Sequence, residues 1–342
     1  MSLTSKVKVG MLGGSLILGL VAPYLLGPFA VSIVTLGLIL GLFAMSIDLM
    51  GGYGGLVSLG QAGILAASSY GVGYMASRVG AGHLEQITVA LLAGLAISMV
   101  FALMAMRVSQ VYFLMVTLAQ GMIVWGFATR STDLGAENGL RGVTRPEAVA
   151  AYWKYYYLCL GILAVCGGMM WLIVRSPLGL SLKGLKESPT RLQMLGYNPA
   201  LTKLYVFMLA GFFATISGIL YAYYNQFVSP SNAAFLMSGK GVLMAILGGI
   251  GTLVGPVIGA FIIVFIENIL SIYVARWPTV LGLLFIFTII FARNGLVGAI
   301  SASWYRWLGR SAGDEDRLGK EEDRATRGEE KEPTQPLTQE TR

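Results

Sequence analysis

From end to end the chain alternates apolar runs of membrane-crossing length with short polar or glycine-rich breaks. About 20 apolar residues cross a bilayer as a helix. On that measure ten spans are expected, at 10–27, 28–48, 62–79, 86–106, 110–129, 153–174, 201–225, 240–255, 256–274 and 279–293. The run at 240–255 is short and broken by glycine, so nine crossings plus a re-entrant segment also fits the pattern. The expected fold is all-α: a polytopic integral membrane protein with glycine-broken helices, filling residues 1–309.

The longest polar break runs from Arg175 to Lys203. It carries Arg175, Lys183, Lys186, Arg191 and Lys203 against one acid, Glu187. Lys and Arg collect in cytoplasmic loops, so this segment is expected on the cytoplasmic side, with both chain termini. The loops 78–86 and 130–152 then fall outside. Ser188-Pro189 supplies an N-cap and a first-turn proline, Gly196 a helix end, and Asn198-Pro199 the next start. A capped, basic knuckle of this kind is expected to dock a cytosolic partner; the plain alternative is a stiff connector.

Composition fixes the solvent. The chain is 56% hydrophobic and 12% charged, with 45 glycines in 342 residues. Soluble domains carry roughly twice that charge, about 25%. Glycine excess favours close helix packing and broken helices. Composition changes after residue 309: positions 310–342 hold seven basic and ten acidic residues and almost nothing large and apolar, and a disordered charged tail is expected there. The formal charge of +7 is spread over loops, so nucleic-acid binding is not expected. Lys6 and Lys8 ahead of an apolar run read as the start of a retained first span.

Two glycine clusters echo each other. Gly51 to Val57 (GGYGGLV) and Gly248 to Val254 (GGIGTLV) share the pattern G-G-x-G-x-L-V, each where an apolar run is interrupted. Such breaks in corresponding halves point to a translocation pathway built from discontinuous helices; close packing through small residues is the plain alternative. Tyr53, Ser58 and Gln61 beside the first break and Thr252 beside the second are the candidate pathway residues. Ionisable groups inside spans call for a functional hypothesis. Asp48 precedes the first glycine cluster, Glu267 lies within 256–274, and Lys240 stands at the mouth of the short span. Structurally, Asp48 would cap broken-helix N–H groups, Glu267 would pair in the bundle, and Lys240 would snorkel. Functionally, Asp48 and Glu267 would serve an ion-coupled secondary transporter.

No catalytic constellation is visible. His83 is the one histidine, and the sequence has no H-E-x-x-H, G-x-S-x-G or P-loop pattern. Cys159 and Cys166, seven apart in one span, read as apolar core, and no metal site is expected. The chain reads as no enzyme and needs no cofactor. Energy from ATP would have to come from another polypeptide.

Five ordered blocks between Leu36 and Val297 carry a family resemblance: GYGGLVSLGQ (52–61), VYFLMVTLA (111–119), ENGLRG (137–142), SPLG (176–179) continued by LGYN (195–198), and LGGIGTLVGP (247–256). The chain resembles the permease subunits of branched-chain amino-acid type ABC importers, most of all the second, longer permease of the pair. Gln61, where the family often has His, and Thr132-Asp133-Leu134-Gly135, where it has a Thr-Gly-Gly run, depart from that pattern. Urea, short-amide and sugar importers remain alternatives for the solute. The resemblance implies a prokaryotic plasma-membrane assembly containing a second permease, two cytosolic ATPases and an extracytoplasmic solute-binding protein. It makes the knuckle, with Leu182, Leu185, Lys186, Glu187, Arg191, Leu192, Leu195 and Gly196, the ATPase coupling element. There Leu185, Leu192 and Leu195 would form the apolar contact, with Lys186 and Arg191 at its rim.

Overall fold

The computed structural model describes residues 27–273 except Ser109, together with Pro23, Thr279, Val280, Gly282, Leu283 and Ile286. The expected spans 10–27 and 279–293 fall almost wholly outside these residues, and the charged tail 310–342 entirely so. Ten α-helices are described: α1 Pro28–Asp48, α2 Gln61–Tyr74, α3 His83–Ala105, α4 Gln110–Arg130, α5 Tyr152–Arg175, α6 Pro177–Glu187, α7 Pro189–Met194, α8 Pro199–Asn225, α9 Phe235–Gly248 and α10 Val254–Tyr273. Wide π-type turns continue α1 over Leu49–Tyr53 and α2 over Met75–Val79. Six helices among the described residues are long and apolar enough to cross a membrane. The protein is all-α and polytopic.

Burial separates a centre from a periphery. The apolar stretch of α1 is 72% buried and that of α8 61%, against 17% for α5 and 28% for α3 and α4. Helix α1 packs on α5, α8, α9 and α10, while α2, α3 and α8 form a second mutually packed group. Lipid tails are as apolar as leucine, so helices associate through close contact and polar links. At Gly218 of α8 an added Cβ would overlap Ser68 and the Leu65 carbonyl of α2, so the two backbones nearly touch. Polar links cross the same interfaces. Ser69 Oγ donates to the Gly218 carbonyl at 2.8 Å, Ser217 Oγ to Ile39 at 2.8 Å, and Tyr155 Oη to Leu220 at 2.6 Å.

At the end of the bundle away from the α6–α7 knuckle, β1 (Leu140–Arg141) pairs antiparallel with β2 (Phe227–Val228). Arg145 donates to the Tyr223 and Tyr224 carbonyls at 2.9 and 2.8 Å and lies over the Tyr155 ring. It thereby supplies the orphan carbonyls at the end of α8 with a cation.

Two boundaries differ from expectation. The short span expected at 240–255 is helix Phe235–Gly248, 14 residues, or about 21 Å long at 1.5 Å per residue. It stops where Gly249 turns to φ +116° and Gly251 to φ +84°. The knuckle holds two helices where the caps predict one. Ser176-Pro177 starts α6, and the extended Ser188 (φ −163°) separates it from α7.

Candidate functional site

The two glycine breaks, one beginning at Gly51 and the other at Gly248, meet in space. After Asp48 the first helix widens into a π-type turn and then unwinds, and residues 54–60 run without regular structure before α2 begins at Gln61. The second break, Gly249–Leu253, separates α9 from α10. An added Cβ on Gly52 would stand 2.5 Å from the Gly251 nitrogen and 2.8 Å from its Cα, so glycine packs on glycine at the crossing.

Asp48 ties the two together. Its side chain is 1% exposed. Oδ1 accepts from Gly251 N–H at 2.6 Å and Oδ2 from Leu253 N–H at 3.2 Å. Thr252 completes the turn: its hydroxyl donates to the Gly249 carbonyl at 2.7 Å and accepts from Gly255 N–H at 3.0 Å, capping α10. These bonds hold a backbone that would otherwise resist its shape, since Leu253 sits at φ +59°, a region L side chains rarely adopt.

The unwound stretch 54–60 is satisfied by side chains from two other helices, and the π-type turn before it by a third. Leu59 N–H donates to Thr117 Oγ1 of α4 at 3.2 Å, and the Leu59 carbonyl accepts from Ser238 of α9 at 2.5 Å. Lys186 of α6 donates to the Gly52 carbonyl at 2.7 Å. Non-helical backbone inside a membrane survives only where protein supplies such partners or a cavity adjoins it. A cleft of about 480 Å³ does adjoin it at the knuckle, lined by Gly52, Tyr53, Lys183, Lys186, Ile250 and Gly251.

The pathway candidates occupy different settings. Tyr53 is half-buried at the cleft. Ser58 is buried, and its hydroxyl accepts from Gly60 N–H at 3.1 Å. Thr252 is exposed, its hydroxyl engaged in the α10 cap. Gln61 is fully buried; its amide nitrogen lies 4.0 Å from Met50 Sδ and its Oε1 has no partner. Gln120 Oε1, on the neighbouring α4, is likewise buried without a partner. Periodicity alone missed Gln120, Thr117 and Ser238, because polar residues in apolar helices carry no label for the face they occupy.

Both carboxylates are engaged within the protein. Glu267 receives Lys240 Nζ at 2.7 and 2.8 Å, bridging α10 to α9. Lys240 therefore turns to a carboxylate instead of snorkelling. Neither Asp48 nor Glu267 is thereby set apart for an ion.

In the knuckle, Ser188 Oγ accepts from Arg191 N–H at 3.3 Å and Asn198 Oδ1 from Ala200 N–H at 3.0 Å, both as the caps predict. Gly196 stops α7 at φ +86°. The expected apolar contact needs correction, however. Leu182, Leu185 and Leu192 are 0%, 3% and 3% exposed, because they fasten α6 and α7 to the chain's own bundle. Apolar groups left outside are Leu178 and Leu180 on α6 and, at the tip of the knuckle, Met194, Leu195 and Tyr197, at 81%, 76% and 51%, with Lys183, Glu187 and Arg191 exposed nearby.

The profile of the family described as branched-chain amino acid transport system, permease component, matches residues 29–293. The high-affinity branched-chain amino acid transport system permease protein LivM of Escherichia coli is 24% identical over 310 residues, covering 82% of this chain and 73% of that protein. Its Salmonella typhimurium counterpart is 23% identical over the same shares. The autoinducer 2 import system permease protein LsrC of Klebsiella pneumoniae is 27% identical over 145 residues, 41% of each chain. No solved structure matches significantly.

Proposed function

We propose, from the premise that this chain belongs to the family of branched-chain amino-acid transport permease components, that it lines the path of branched-chain amino acids through an ABC importer of a prokaryotic plasma membrane. It works with a second permease, two cytosolic ATPases and an extracytoplasmic binding protein, and its N- and C-termini face the cytoplasm. The observation that carries this reading is the meeting of the two glycine breaks. Discontinuous helices crossing in protein-satisfied backbone are the architecture that membrane pathways use. The buried, unpartnered Gln61 Oε1 and Gln120 Oε1 support it, since a passing polar solute would offer them the hydrogen bonds they lack. The half-buried Tyr53 and buried Ser58 stand on the same route.

On this reading the ATPases grip the exposed tip of the knuckle. Met194, Leu195 and Tyr197 supply the apolar contact, with Arg191 and Lys183 at its edge. ATP-driven closure then displaces the knuckle and rocks the bundle. The test is to express this chain with its ATPase partner and compare Leu195→Asp with wild type. Wild-type chain should co-purify the ATPase and take up leucine in proteoliposomes only with ATP and binding protein, while Leu195→Asp loses the ATPase. Leucine accumulation by this chain alone, driven by an ion gradient, would overturn the proposal.

A further inference from the structure

Lys186 is the hydrogen-bonded link between the knuckle and the glycine crossing. Among the described residues, its 2.7 Å bond to the Gly52 carbonyl is the one side-chain hydrogen bond from residues 177–196 to the rest of the bundle. The side chain reaches there along a prepared track. Gly55, at φ +68°, lies so close that an added Cβ would stand 2.9 Å from Lys186 Cγ, so the lysine stem rests directly on the unwound strand. Leu182, Leu185 and Leu192 of the knuckle belong to the buried apolar core. Beside the lysine, the cleft of about 480 Å³ separates the knuckle from the turn bearing Ile250 and Gly251, which leaves room for relative movement. Beyond Gly52 the connection continues, since Gly52 packs on Gly251 and Asp48 binds Gly251 and Leu253.

We infer that Lys186 is the strut through which movement of the α6–α7 knuckle reaches the paired glycine turns, and so a positioning residue for coupling ATP hydrolysis to the opening of the pathway. This rests on the reading that the knuckle engages ATPases. Lysine is well suited to such a strut, because its charged, flexible head holds a backbone carbonyl strongly while its stem slides over glycine. The apolar contacts of α6 keep the helix attached whether or not the strut is made, so losing the strut should uncouple the machine without dismantling it.

The test uses the whole importer in proteoliposomes, with Lys186→Met, which keeps the stem and removes the ammonium. The expected result is normal ATPase co-purification with leucine uptake per ATP hydrolysed reduced about tenfold, the scale of one lost charge-assisted hydrogen bond. Lys186→Arg should restore much of the coupling. A second readout needs no transport. Cys159 and Cys166 are buried, so a cysteine introduced by Ile250→Cys, at a 43% exposed position, is the reactive thiol. Its maleimide labelling rate should change on adding ATP when Lys186 is present and stay constant in Lys186→Met. Wild-type coupling and ATP-dependent labelling in Lys186→Met would overturn the strut. Loss of ATPase co-purification in Lys186→Met would overturn it too, making the lysine a docking residue. If wild-type chain itself never retains an ATPase, the failure belongs to the underlying reading.

Discussion

Replacing Asp48 gives the sharpest test of the glycine crossing. Asp48→Ala removes a buried carboxylate that accepts from Gly251 N–H at 2.6 Å and Leu253 N–H at 3.2 Å. The Leu253 donor stays buried, and that of Gly251 stays part-buried at the edge of the cleft. Leaving a buried donor unmade costs about 1–3 kcal/mol, so one buried and one part-buried donor together cost about 3 kcal/mol, a large part of a stability of roughly 5–15 kcal/mol. The strained turn they hold, with Gly251 at φ +84° and Leu253 at φ +59°, should then relax. Asp48→Asn keeps the shape and one acceptor but turns an amide NH₂ toward the second donor, so about half the cost is expected. The buried thiols Cys159 and Cys166 make the assay simple, because a thiol-reactive fluorophore lights up as the bundle opens. At about 2–4 °C per kcal/mol, Asp48→Ala should melt about 10 °C below wild type and Asp48→Asn about 5 °C below. An Asp48→Ala protein melting within about 2 °C of wild type would refute the tie. If Asp48→Asn instead leaves the melting point unchanged and abolishes transport, the carboxylate handles an ion, and the carrier reading returns.

Other expectations follow from the same geometry. Gly52→Ala places a Cβ within 2.8 Å of Gly251 Cα and should lower folded yield and transport, whereas Gly126→Ala, with nothing within 4 Å, should be neutral in both. Glu267→Gln and Lys240→Met should each destabilise, and the double variant should regain part of the loss. A melting-point cycle reporting coupling below about 0.5 kcal/mol would contradict a working ion pair. Leu192→Asp should fail to fold, because Leu192 is 3% exposed, while Leu195→Asp, at 76%, should fold and melt like wild type; size-exclusion profiles in detergent separate the two.

Local signals carried well from sequence to structure. The bilayer as solvent, most helix positions and the caps at Ser188, Asn198 and Gly196 depend on nearest neighbours along the chain, so composition and spacing reveal them. The echo of G-G-x-G-x-L-V marked both breaks, because the positive φ of Gly55, Gly249 and Gly251 and the close approach at Gly52 favour a residue without a Cβ. What the breaks do to each other was settled only in three dimensions. The bond from Asp48 to Gly251 spans 203 positions, and no periodicity encodes a partner so distant. The pairing of Lys240 with Glu267 likewise needed two helices brought side by side. The knuckle shows the limit most clearly. Leu192 and Leu195 look alike in a six-residue helix and its cap, too short for an apolar stripe to define a face. Packing against the bundle buries one and leaves the other in the open, and that decides which leucine a partner can touch.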